Sequence, residues 1–118
     1  MDRLKQYRNA IQQVLNEHAQ LSRKVREDRP SDRDIPAEAI AICDPQTDNY
    51  LLVTLGWNEY QRIHSIIVHL RIIDGKIHVE WNGTEDIAED LMEQGIPESA
   101  FVPAFRHPNF RDAIATKT

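Results

Sequence analysis

The sequence predicts an α+β fold: a long N-terminal helix, a four-stranded antiparallel sheet, a second helix and a short C-terminal segment. Three observations carry this reading. A 3.6-residue apolar rhythm runs through residues 2–28. Four strand-like stretches then follow one another without a helix between them, and Asp74-Gly75 joins two β-branched runs. Helices outside an unbroken run of strands imply an antiparallel sheet, not a βαβ one.

In the first helix Leu4, Tyr7, Ile11, Val14, Leu15, His18, Leu21 and Val25 recur at spacings of three and four, which places them on one stripe. Asp2 is placed to cap its start. The helix would be roughly 35–40 Å long, more than a small sheet needs. Arg29 to Pro36 reads as a polar linker. Ala37 to Cys43 is expected as the first strand, and Asp44-Pro45-Gln46-Thr47-Asp48-Asn49 as a turn. A second strand is expected over Tyr50 to Trp57, with a turn at Asn58-Glu59.

Gln61 to Ile73 and Lys76 to Asn82 form a hairpin. Asp-Gly between β-branched runs signals a type I′ turn, which needs positive φ at both central residues. A two-residue turn sets the register: Ile73 faces Lys76, Ile72 faces Ile77, Arg71 faces His78 and Leu70 faces Val79. Unbroken, it continues with His69 against Glu80 and Val68 against Trp81. Alternation then predicts a dry face of Val68, Leu70, Ile72, Ile77, Val79 and Trp81. His69, Arg71, His78 and Glu80 fall on the wet face, with Ser65, Ile67 and Ile73 beside them.

Thr84 reads as the cap of a helix over about Glu85 to Gln94, ended by Gly95. Ile87, Ala88, Leu91 and Met92 are its inward residues. Phe101 to Phe105 is expected as a strand or extended segment, and the tail from Arg106 has weak periodicity.

With 118 residues, 41% hydrophobic and 28% charged, the chain suits one domain spanning 1–118. No apolar run approaches the ~18 residues that span a bilayer. The single cysteine, Cys43, forms no intramolecular disulfide. A soluble cytoplasmic protein without a membrane association is expected. Net charge is −5, with eight Lys/Arg against six Asp/Glu in residues 1–34 and six against thirteen thereafter. Such a balance repels a duplex over most of the surface, leaving the first helix as a modest basic strip.

Catalytic patterns are weak. His69, His78 and Glu80 share the wet face, but Arg71 beside them opposes a cation. His64, an odd number of residues from His69, is expected on the opposite face. The acidic run Glu85, Asp86, Glu89, Asp90 and Glu93 reads as a solvated helix, not a Mg²⁺ site. The four glycines are isolated turn residues rather than a phosphate-cradling loop.

Several motifs recur in one order across nearly the whole chain: Met1-Asp2-x-Leu4-x-x-Tyr7-Arg8-x-x-Ile11, Gly56-Trp57, Arg62-x-His64, Asp74-Gly75-Lys76-Ile77, Gly83-Thr84-Glu85, Gly95-Ile96-Pro97 and Phe105-x-His107-Pro108-x-x-Arg111. In that order and spacing they resemble the XisI family, cyanobacterial factors named for controlling excision of the fdxN element. The resemblance implies a non-enzymatic factor without a cofactor, accessory to a separate recombinase. It also implies a XisH-like, nuclease-related protein partner. The chain departs from the pattern in its charged Lys24 to Pro36 stretch and in Asp112-Ala113-Ile114-Ala115, near which family members often carry an aromatic residue.

Three functional hypotheses follow. The first is partner binding through the wet face, with His69, Arg71, His78, Glu80, Ser65 and Ile67 as candidate contacts. The second is direct DNA binding through Arg3, Lys5, Arg8, Arg23, Lys24 and Arg26. The third is a small metal-dependent enzyme using the histidine-bearing face. A homodimer would form through the long helix or an uncovered sheet edge.

Overall fold

The computed structural model describes residues 3–28, 38–83 and 87–110, and only the backbone of 23–28 and 110. Helix α1 spans Arg3–Asp28, followed by strands β1 (Glu38–Asp44), β2 (Asn49–Asn58), β3 (Gln61–Ile73) and β4 (Lys76–Asn82). Helix α2 (Ile87–Glu93) and strand β5 (Phe101–Val102) complete the layers. The expected caps Asp2 and Thr84, the linker up to Pro36, and Arg111 with the tail lie outside the described residues.

The sheet runs β1-β2-β3-β4-β5. The first four strands are antiparallel neighbours, as expected. A fifth was not expected as a strand of the sheet: Phe101 and Val102 pair with Ile77 and His78 in parallel. This short pairing lets Phe101 sink to 6% exposure against the core.

Turn chemistry explains the reversals. The Asp44 carboxylate accepts hydrogen bonds from the Gln46 N–H and the Thr47 hydroxyl, closing an Asx turn. Asp74 and Gly75 both have positive φ, as a type I′ turn requires. The β2–β3 turn falls one residue later than expected. Asn58 pairs with Gln61, leaving Glu59 at φ 57° and Tyr60 as the two loop residues. At the end of α2, Gly95 adopts φ 97°, and its N–H bonds the Met92 carbonyl.

The inner face of the sheet packs against both helices. Tyr50, Leu52, Val68, Leu70, Ile77 and Val79 meet Ile11, Val14 and Leu15 of α1 and Ile87 and Leu91 of α2 in one core. Each fully buried aliphatic side chain contributes roughly 1.5–3 kcal/mol. The α1 stripe stops short of its expected length: Ala19 is buried, whereas Leu21 is 63% exposed. At that level α1 has reached the β1 edge, and the Ser22 hydroxyl accepts the Ala39 N–H at 2.8 Å. His18 is half-buried as expected, its Nε2 3.1 Å from Asp90. No helix among the described residues is long and apolar enough to cross a membrane.

Candidate functional site

Two bulges shape the outer face of the sheet. Between β2 and β3, Leu52 pairs with Val68 but Val53 pairs with Ile66, so Ile67 is an extra residue. Between β3 and β4, Leu70 pairs with Val79 but His69 pairs with Trp81, so Glu80 is extra. Each bulge inverts the alternation beyond it.

The inversions correct four expected placements. Trp81, assigned to the core, lies on the outer face opposite His69 and is 56% exposed. Ser65 turns to the other face, where its hydroxyl lies 3.0 Å from the Thr54 hydroxyl. Ile67 packs half-buried against the core, and its carbonyl accepts the Gly83 N–H. His64 now pairs with Leu55 and shares the outer face with His69, instead of opposing it.

His69, Arg71 and His78 stand on the outer face, with Arg71 and His78 directly paired. The His69 Nε2 lies 2.9 Å from the Asn49 amide oxygen. Burial holds the His69 imidazole below the ordinary histidine range; Glu80 pulls it up and Arg71 pushes it down. Glu80, from its bulge, places a carboxylate oxygen 3.6 Å from the Arg71 guanidinium. His69, His78 and Glu80 thus do not form the metal triad weighed from the sequence. Among the described residues no three histidine, cysteine or carboxylate side chains converge to hold an ion.

Reasoning from sequence missed the apolar half of this face. Ile42, Leu51, Val53 and Ile66, with His64 and Ser65 alongside, line a shallow groove of about 490 Å³. Ile42 and Ile66 are each 48% exposed. The triplet Ile66-Ile67-Val68 interrupts alternation and was the available signal for the first bulge. Val79-Glu80-Trp81 alternates regularly and offered none for the second.

The motif residues take structural positions. Gly56 is buried opposite Ile63. Trp57 is 39% exposed, with the Arg62 guanidinium 5.2 Å above its ring. The His107 Nδ1 accepts the Asn109 N–H at 3.2 Å as Pro108 opens a short turn. Of the basic residues on α1, Arg8 is committed to Asp48 through two hydrogen bonds. The side chains of Arg23, Lys24 and Arg26 lie outside the described residues.

The fold has counterparts among solved structures. The crystal structure of the fdxN element excision controlling factor XisI from Anabaena variabilis superposes with a TM-score of 0.71 at 31% identity, covering 92% of this chain and 97% of that one. A XisI-like protein from the same organism gives a TM-score of 0.58 at 28% identity, over 86% and 92% of the respective chains. No curated protein matches the chain at a significant level. The model of the XisI protein family matches residues 1–116, and the chain belongs to the XisI family.

Proposed function

We propose that the chain is a non-catalytic cytoplasmic accessory factor in excision of a DNA element, acting by holding a XisH-like protein on the outer face of its sheet. The observation that carries this is the grouping of Ile42, Ile66 and Trp81, all close to half exposed, with Arg71 and three histidines around them. Large apolar side chains gathered on one surface and bordered by polar groups are the composition of a protein interface. Exposed tryptophan and arginine are the residue types that dominate binding energy at such surfaces. The excision role is supported by the family and by the relative whose crystal structure bears that description.

Co-expression with a XisH-like protein tests the reading. One co-eluting complex at micromolar concentration is expected, and the combined substitutions Ile42→Glu and Trp81→Ala should separate it without lowering the melting temperature. Two separate peaks for the parent protein would overturn the proposal. A free chain migrating at twice its mass, again without complex, would assign the face to a second copy instead.

A further inference from the structure

A cleft of about 430 Å³ opens where the first turns of α1 meet the β3–β4 turn and the segment 97–100. Arg3 and Lys76 bring two permanent cations to its walls, with Gln6, Ser99 and Tyr7 beside them. Among the described residues, no carboxylate forms a salt bridge with either cation. Asp74, two residues before Lys76, and Glu98, between Pro97 and Ser99, do not line the cleft.

Tyr7 supplies an independent observation. The residue is only 3% exposed, yet its hydroxyl has no hydrogen-bond partner among the described residues. A buried phenol normally finds one. Among the described residues only the Asn82 amide oxygen is both sealed from solvent and without a partner, so the unpartnered Tyr7 hydroxyl keeps contact with solvent, and Tyr7 lines the cleft. The Tyr7 hydroxyl therefore opens on the cleft with its donor unspent. Arg3 also sits in the first turn of a 26-residue helix, where the dipole favours negative charge.

We propose that this cleft binds a phosphate group, either free or carried as a monoester on a larger molecule. A phosphate monoester has nearly two negative charges at neutral pH and three strong acceptor oxygens. Arg3 and Lys76 match the charges, and Tyr7, Gln6 and Ser99 supply neutral donors for the oxygens. A carboxylate, with one charge and two oxygens, would leave part of this set unused. The site is separate from the groove on the outer sheet face and does not depend on the partner reading.

The test is an amide NMR titration of the full chain with inorganic phosphate, set against sodium chloride at matched ionic strength. Saturable shifts confined to Arg3, Gln6, Tyr7, Gly75, Lys76 and Ser99 are expected with phosphate and not with chloride. A terminally phosphorylated trinucleotide and its unphosphorylated form make a second arm. Saturation by the phosphorylated form alone, without a response to free phosphate, supports the site and assigns it to a phosphate on a larger molecule. Arg3→Gln and Lys76→Gln should each weaken binding about tenfold, the value of one charge-assisted hydrogen bond. Tyr7→Phe should weaken it roughly threefold while leaving the melting temperature unchanged, because no protein hydrogen bond is lost. Absence of saturable shifts with every phosphate probe overturns the proposal, as does a Tyr7→Phe variant that binds phosphate as tightly as the parent.

Discussion

Arg8 and Asp48 stand 40 residues apart in sequence and are joined by two parallel hydrogen bonds, Nε to Oδ1 at 2.8 Å and Nη2 to Oδ2 at 3.0 Å. The bidentate pair ties α1 to the β1–β2 turn. Asp48 is well suited to be the anchor. Its φ of 55° places it in the left-handed region that aspartate and asparagine tolerate, and its carbonyl accepts the Ile72 N–H from β3. One residue thus connects a helix, a turn and a central strand.

The Arg8 hydrogen bonds hold the Asp48 carboxyl below the usual carboxylate range, against the opposing effect of its partial burial. A depressed carboxyl binds fewer protons when folded than when unfolded. Its stabilisation is therefore complete above the unfolded value near ~4 and is lost as pH falls through the folded value. Asp48→Asn keeps the backbone preference and removes the charge. It should cost about 1.5–3 kcal/mol at neutral pH. Thermal unfolding between pH 7 and roughly pH 3 should show the gap between parent and variant closing as the medium becomes acidic. A gap that stays constant would show that the ion pair contributes nothing.

Tyr50 completes this cluster from the core. Its hydroxyl donates to Asp48 Oδ1 at 2.9 Å, and the residue is fully buried. Burial first, then the bond to a carboxylate, push the phenol well above its ordinary range. A raised phenol keeps its proton in the folded state, so the stabilisation is present below the unfolded value near ~10 and lost as pH rises beyond it. Spectrophotometric titration should show tyrosine ionisation in the folded range that excludes Tyr50, with its signal appearing only on alkaline unfolding. Tyr50→Phe should lower stability by about 0.5–1.5 kcal/mol and remove that late step.

Local chemistry made much of the fold legible before the structure. Asp74-Gly75 specifies its turn because few residue pairs accept two positive φ values, and that turn alone fixed four cross-strand pairs correctly. The α1 stripe was readable for the same reason, since periodicity is a property of neighbouring residues. What escaped was non-local. Arg8 and Asp48 carry no mark of their pairing, and the partnering of Phe101 with Ile77 depends on where α2 returns the chain. The site suffered most from one missing residue of register. Glu80 loops out, so a hydrophobic tryptophan in a seemingly dry row faces solvent instead.

Gly83 explains how that region closes. Its N–H bonds the Ile67 carbonyl at 2.6 Å, and a Cβ at this position would stand 2.7 Å from the same oxygen. The neighbouring atom is backbone held in a bulge, so it cannot swing aside as a side-chain tip would. Gly83→Ala should therefore destabilise the protein by roughly 1–3 kcal/mol, measurable by urea denaturation. Gly75→Ala, with open space around its Cβ but φ at 76°, should cost about 1–2 kcal/mol through backbone conformation alone. A smaller residue at position 67 should relieve the Gly83→Ala defect only in part, because it removes the isoleucine Cγ2 at 3.0 Å but leaves the carbonyl oxygen at 2.7 Å.

The bulge at Glu80 makes opposite demands on two residues of one strand. Ile77 is fully buried on the inner face, whereas Trp81, four residues on, is more than half exposed on the other. Without the bulge, an even separation would put both on the core side. Ile77→Ala should cost about 2–5 kcal/mol, the loss of buried methyl groups plus the cavity left behind. Trp81→Ala should change stability by no more than about 0.5 kcal/mol, as is usual for a surface position. Tryptophan fluorescence supplies a second readout, with Trp81 quenched by added iodide in the free protein and shielded in a complex with the XisH-like partner. A Trp81→Ala variant that unfolds as readily as Ile77→Ala would restore the unbroken register, and with it remove the apolar outer face on which partner binding rests.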